Sequence, residues 1–183
     1  MTLDPFGYSL NDTTVITRNF LSGIGNKLHF NTQPVTHRNL LLIRKNDRFD
    51  SLLVKESERL IRSQKYVREL SFLTILSEGK DSVDIFICAL DAWSIIPKGA
   101  ISTVRATADV TDKNFLGTGH EFQSAFTFNH TNGNNAFKTN YLISNIRHTY
   151  ISLGLHYESD EYRNANKILV VERPFFSPLA NWA

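Results

Sequence analysis

The sequence predicts an α+β unit, β-α-α-β-β in order, followed by an all-β half of antiparallel strands. Three observations predict it. Residues 51–67 carry apolar side chains at helical spacing. The two apolar stretches after them, separated by a glycine turn, read as a hairpin. Beyond residue 100 the apolar runs have a period of two, with no helical pattern. The 183 residues suffice for one domain with a good core or two small ones. Apolar content of 42% with 21% charged residues excludes disorder by composition. A net charge of +2 gives no general argument for nucleic acid as a partner. No stretch approaches the roughly 20 apolar residues of a transmembrane helix, which leaves open membrane strands of about 9–11 residues.

The opening "MTLDPFGYSL" has no basic stretch followed by an apolar one, so it does not read as a signal peptide. A first short strand is expected within "SGIGNKLHF". In "NTQPVTHRNLLLIRKNDRFD", Thr32 stands where an N-cap would sit and Pro34 near the first turn, which predicts a short helix ending near Arg44. Asp50 or Ser51 can cap the next helix. There Leu53, Ser57, Leu60 and Ile61 share one face, and Lys55, Glu58, Arg59 and Arg62 take the other. "ELSFLTIL" and "SVDIFICALDAW" follow as an antiparallel hairpin turned at Gly79. The lone cysteine, Cys88, excludes an internal disulfide and reads as a buried, inert thiol.

In the second half "AISTVRATADVT" sets Val104, Ala106, Ala108 and Val110 against Thr103, Arg105, Thr107 and Asp109. "HEFQSAFTFN" sets Phe122, Ser124, Phe126 and Phe128 against Glu121, Gln123, Ala125, Thr127 and Asn129. "AFKTNYLIS" opposes Phe137, Thr139, Tyr141 and Ile143 to Lys138, Asn140 and Leu142. "HTYISLGLHYES" opposes Ile151, Leu153, Leu155 and Tyr157 to Ser152, Gly154, His156 and Glu158. "KILVVERPFF" is a further strand whose pattern assigns no faces. These make four or five strands. The polar face needs water, so the apolar face is the one that leaves it. A membrane barrel does this with lipid outside and aromatic residues at the strand ends, for which Tyr141, Tyr157, Phe175, Phe176 and Trp182 are candidates. A soluble antiparallel sheet with one wet face has the same alternation.

No catalytic constellation emerges. The six histidines, at 29, 37, 120, 130, 148 and 156, lack metal-ligand spacing, and no metal or other cofactor is expected. Gly117-Thr118-Gly119 resembles half a phosphate loop but precedes a strand. "VKESERLIR" reads as a solvated helix face. Asp91 and Trp93 read as packing at the close of the hairpin, and nothing marks Asp109 and Glu121 as an acid/base pair.

"GNKLHFNT", "LLLIRKNDRFDSLLVKESERLIRSQKYVRELSF" and "DAWSIIP" together resemble the POTRA domain that precedes the barrel in outer-membrane assembly and translocation proteins of the BamA/TamA type. "DKNFLGTGHEFQ" is similar to an early-barrel turn of that superfamily, and "YLISNIRHTYISLGLHYES" and "VERPFFSPLANWA" to its next strands. The resemblance implies a lead-in over residues 1–24, a POTRA-like domain over 25–95, and, over 96–183, the first strands of an incomplete outer-membrane β-barrel. Family barrels have sixteen strands, and their later Val/Ile-Arg-Gly-aromatic motif is absent here, which implies a piece of a longer protein. It further implies a non-enzymatic role in inserting or translocating polypeptides, with the POTRA-like part in the periplasm and the strands in the bacterial outer membrane. The implied partners are unfolded or extended client polypeptides, outer-membrane lipid and assembly-machine subunits, with no nucleic acid. An extended client would dock on the edge strand from Leu70 to Leu76, through Leu70, Phe72, Thr74 and Leu76. Lipid would meet Phe122, Phe126, Phe128, Phe137, Tyr141, Ile151, Leu153 and Leu155, and the early strands would belong to the seam at which the barrel opens. The alternatives are a soluble periplasmic or surface binding module, an α/β domain packed on a β-sandwich, and, with less support, a hydrolase.

Overall fold

The computed structural model describes residues 2–3, 29–77 and 82–179. It divides into two compact units, Met1–Trp93 with Phe176–Asn181, and Ser94–Phe175 with Trp182–Ala183.

The first unit holds a three-stranded sheet of order β1-β3-β2: β1 (Thr2–Leu3) runs parallel to β3 (Val83–Asp91), and β2 (Val67–Leu76) antiparallel to it. Thr2–Leu3 lies in the segment read as a lead-in. Residues 22–28 and the turn at Gly79 lie outside the described residues. Helix α1 (Pro34–Arg38) is shorter than its sequence suggests, ending at Asn39 rather than near Arg44. Thr32 does not cap it: the Thr32 hydroxyl is spent on Asp91 instead (2.9 Å).

Helix α2 (Ser51–Arg62) begins as the sequence requires. The Asp50 carboxylate accepts from the Leu52 and Leu53 amides (2.8 and 3.4 Å), satisfying two otherwise orphaned donors. Its buried face is Val54, Ser57, Leu60 and Ile61, and it packs on β2; Val54 takes the place expected for Leu53. Ser57 is fully buried because its hydroxyl has two jobs: it donates to the Leu53 carbonyl (2.6 Å) and accepts from the Leu42 amide (2.9 Å), fastening the α1–α2 connection to the helix. Arg59 bridges Glu56 and the Phe176 carbonyl (2.9 Å), so the chain near residue 176 belongs to this unit, not to the strands that precede it. Cys88 is half-buried, opposite Ser71, rather than buried.

The second unit is one antiparallel sheet of six strands in sequence order: β4 (Ile95–Ile101), β5 (Arg105–Phe115), β6 (His120–Asn129), β7 (Asn135–Ile143), β8 (Ser152–Ser159) and β9 (Ala165–Glu172). The count exceeds the expected four or five because "IIPKGAI" is a strand of its own, which Pro97 and Gly99 disguise. Val104, expected in a strand, lies in the turn at residues 102–104, where the Ser102 hydroxyl accepts from the Arg105 amide (2.9 Å).

Candidate functional site: a two-faced sheet and three strand edges

Residues directly opposite each other in an antiparallel sheet share a face. The register lines up Asp112, Phe122, Tyr141, Leu155 and Leu169 in one row, and Ala108, Phe126, Phe137 and Ser159 in another. Phe128 stands opposite Ala106 and Asn135, Leu153 opposite Ile143 and Val171; Ile151 lies one residue before β8. Hence Phe122, Phe126, Phe128, Phe137, Tyr141, Leu153 and Leu155 occupy one continuous face. β9 is resolved too: Lys167, Leu169 and Val171 join that face, and Asn166, Ile168, Val170 and Glu172 the other. The apolar face also carries a hydroxyl-bearing row, Ser124, Thr139 and Tyr157, ending at Lys167, whose ammonium lies 5.9 Å from the Tyr157 ring centroid.

At one end of this face four rings cluster. Phe115 lies 5.1 Å from Phe122 and 6.1 Å from Tyr141, centroid to centroid, and the Tyr141 hydroxyl is 2.7 Å from Nδ1 of His120. The β5–β6 turn creates the cluster. The Asn114 side-chain oxygen accepts from the Gly119 amide (2.8 Å), Thr118 closes on the Phe115 carbonyl (2.6 Å), and Gly117 and Gly119 have φ of 73° and 74°. That backbone is cheap only for glycine, which accounts for the Asn-x-Leu-Gly-x-Gly pattern without any phosphate loop.

The opposite face is a hydrogen-bonded polar ladder. Gln123 donates to Asp109 (3.0 Å) and accepts from Asn140 (3.1 Å), and the Asn140 oxygen bonds Nδ1 of His156, so one chain of side chains crosses β5 to β8. The next row alternates in charge: Lys98, Asp109, Ala125, Lys138, Glu158. At the end away from the aromatic cluster the β8–β9 turn reaches over this face. Glu161, in the β8–β9 turn, reaches Asn129 on β6 (2.7 Å) and Arg105 on β5 (2.9 Å). In a flat sheet strands two and three apart are separated by roughly 10 and 14 Å, so the turn leans over the polar side.

Backbone hydrogen bonds at the ends of the hairpins fix which groups the sheet edges present. In an antiparallel pair, hydrogen-bonded and non-hydrogen-bonded partners alternate. The Ser77 amide donates to the Ser82 carbonyl (3.1 Å), so Ile75–Asp84, Leu73–Phe86 and Ser71–Cys88 are the bonded pairs. The N–H and C=O groups of Leu70, Phe72, Thr74 and Leu76 therefore point to the outer edge of β2. The Leu70 carbonyl does so visibly, because Nη2 of Arg62 donates to it (3.0 Å). No strand among the described residues pairs with that edge. By the same argument β4, bonded through Ser102–Arg105 and Lys113–Ser94, turns Ile95, Pro97, Gly99 and Ile101 outward. Pro97 thus lacks its amide where the sheet does not need one. β9, bonded through Asp160–Asn164, turns Ala165, Lys167, Leu169 and Val171 outward.

A third arrangement was invisible in the sequence. Asp91, fully buried at the end of β3, accepts from the Thr32 amide (2.7 Å) and hydroxyl (2.9 Å), and its Oδ2 lies 3.2 Å from Nε2 of His29. His37 and Tyr66 are buried nearby, their rings 6.1 Å apart. Burial pushes the His37 imidazole below its usual pKa, partly offset by Asp91, and burial raises the Tyr66 phenol. The cluster ties residues 29–32 to the sheet. Only the Asp91-x-Trp93 pair at the strand end hinted at it. Among the described residues no three His, Cys, Asp or Glu side chains converge as metal ligands.

No family model matches the chain, and neither does any curated protein. Among solved structures it is similar to the crystal structure of BamA from Haemophilus ducreyi lacking POTRA domains 1–3, with a TM-score of 0.54 and 18% sequence identity. The match covers 69% of this chain and 25% of that one, so this chain spans about a quarter of that structure's length. The fold is BamA-like.

Proposed function

We propose that this chain is part of an outer-membrane β-barrel protein that assists the insertion or translocation of other polypeptides. The first unit serves as a POTRA-like periplasmic module and the six strands as one wall of the barrel. The observation that carries the reading is the division of the six-stranded sheet into a continuous Phe/Leu/Tyr face and a hydrogen-bonded polar face. A barrel wall needs this arrangement, apolar outside and wet inside. The BamA-like fold supports it, and so do the aromatic rings gathered at one end of the apolar face. The lipid-facing set is Phe122, Phe126, Phe128, Phe137, Tyr141, Ile151, Leu153 and Leu155.

The route for clients is the edge of β2. An extended chain pairs with the outward N–H and C=O groups of Phe72, Thr74 and Leu76, which recognise backbone and so demand little of client sequence. The strands β4 and β9 bound the sheet, and β4, with one amide missing at Pro97, is the weaker edge to close and the natural place for a seam. The test is photo-crosslinking from Thr74 against Lys55, on the exposed helix face, with unfolded outer-membrane proteins as clients. Strong adducts at Thr74 and few at Lys55 are expected; equal yields at both would refute edge docking.

A further inference from the structure

We infer that Arg62, held by Glu58, is a stop that fixes where an extended polypeptide begins on the β2 edge. The docking window is thereby confined to residues 72–76, and the window selects segments with apolar side chains on the sheet's open face. The inference rests on edge docking and deepens it.

The two halves of β2 differ. Its first half is guarded by charge: Arg68 and Glu69 lie within the strand, and the Arg62 guanidinium sits on the edge itself. Nη2 of Arg62 donates both to Oε1 of Glu58 (2.6 Å) and to the Leu70 carbonyl (3.0 Å). An incoming strand would need that carbonyl as an acceptor for its own amide. It finds the acceptor occupied and a cation in the position its backbone would take. The ion pair with Glu58, one helical turn back, holds the guanidinium there. Charges of this kind are how sheets deter unwanted pairing.

The second half has no such guard. From Phe72 to Leu76 no residue is charged, and three apolar side chains of this stretch face solvent: Leu73 is 57% exposed, Ile75 45% and Leu76 76%. Leu73 stands opposite Phe86, itself half exposed, so Leu73, Ile75 and Phe86 form an apolar strip on the face away from Leu70, with the exposed Asp84 opposite Ile75 on β3 as its one charged neighbour in that register. A strand added to the edge extends both faces. Its side chains on the open face continue the Leu73–Ile75–Phe86 strip and are stabilised when apolar. Those on the other face lie beside Phe72 and Thr74. The fitting partner is an extended segment of alternating character, unpaired on its own edge. An unfolded barrel strand has this character.

The test is hydrogen–deuterium exchange on the full chain in detergent micelles, with and without a synthetic peptide of alternating valine and threonine. In the wild type the peptide should slow exchange at the Phe72, Thr74 and Leu76 amides and leave Leu70 unchanged. In Arg62→Met, which keeps the stem and removes the donor, protection should extend to Leu70. Peptide affinity should rise about three- to tenfold, the worth of one further net backbone hydrogen bond. Glu58→Ala, which leaves Arg62 present but unanchored, should act in the same direction and less strongly, and guards against misfolding of the first variant. Protection of Leu70 in the wild type, or the unchanged wild-type pattern in both variants, overturns the stop while edge docking stands. Absence of protection anywhere from Leu70 to Leu76 overturns edge docking and the stop with it.

Discussion

Truncating two leucines of one helix measures whether α2 covers the sheet. Leu60 is 5% exposed and Leu52 66%, yet both sit on α2 and lose the same atoms in a change to alanine. At about 0.8 kcal/mol per buried carbon, the three carbons removed from Leu60 are worth roughly 2.4 kcal/mol. The cavity against β2 adds to this where neighbours cannot collapse, and buried Leu→Ala changes span about 2–5 kcal/mol. Leu60 is flanked by Ile61, fully buried, and by Ser57, which is pinned by two hydrogen bonds. The walls of the hole are therefore stiff, and about 3–4 kcal/mol is expected. Leu52→Ala should stay within about 0.5 kcal/mol. The assay is native-state hydrogen exchange of the Leu90 amide, in the buried part of β3, across a urea series on the full chain. A loss under 0.5 kcal/mol for Leu60→Ala, or equal losses for both variants, would mean that α2 does not close this core.

Proline separates the two phases of β2: Thr74→Pro should weaken client crosslinking with circular dichroism unchanged, since that amide points outward, whereas Ile75→Pro should break the β2–β3 ladder, seen as lost amide protection in β3. The reverse assignment would show that the edge phase is wrong. In proteoliposomes, with Cys88 replaced by serine, single cysteines at Gln123 and Asn140 should react with a membrane-impermeant maleimide and those at Phe126 and Phe137 should not; equal labelling refutes the barrel-wall orientation. His37 has a folded-state pKa below its ordinary 6.5, so its neutral form is favoured by folding. Its contribution is present above pH 6.5 and is lost as pH falls below it. His37→Phe should flatten that part of the stability–pH curve, measured by urea midpoints. Glu56, hydrogen-bonded by Arg59 and Ser177, has its carboxyl held down to about 2, and Arg59→Gln should return it toward 4.5 in an NMR titration.

How much was legible depends on the range of the interaction concerned. Asp50 as the helix cap and the Leu60–Ile61 face follow from neighbours within two turns, and the sequence carries both. The faces of β6, β7 and β8 follow from a period of two along each strand, so the shared face of Phe122, Tyr141 and Leu155 was anticipated from the chain alone, and their alignment in one row was set by the register. β4 was missed because Pro97 and Gly99 weaken a strand locally. Only an edge position, with Pro97 turned outward, makes them acceptable, and edge position is not a local property. Thr32 was misread as a cap for a similar reason: its partner, Asp91, is 59 residues away.

By itself the sequence determined which residues share a face, because side-chain periodicity is set by backbone geometry within one strand or helix. The tertiary structure decided everything that needs a partner. It set the phase of β2, since the outward groups are known only from the Ser77–Ser82 bond at the hairpin end. It brought the β8–β9 turn over the polar face, through Glu161 reaching back to Asn129 and Arg105. It put the Arg62 guanidinium on the Leu70 carbonyl, a contact between the end of a helix and a strand edge that no periodicity records.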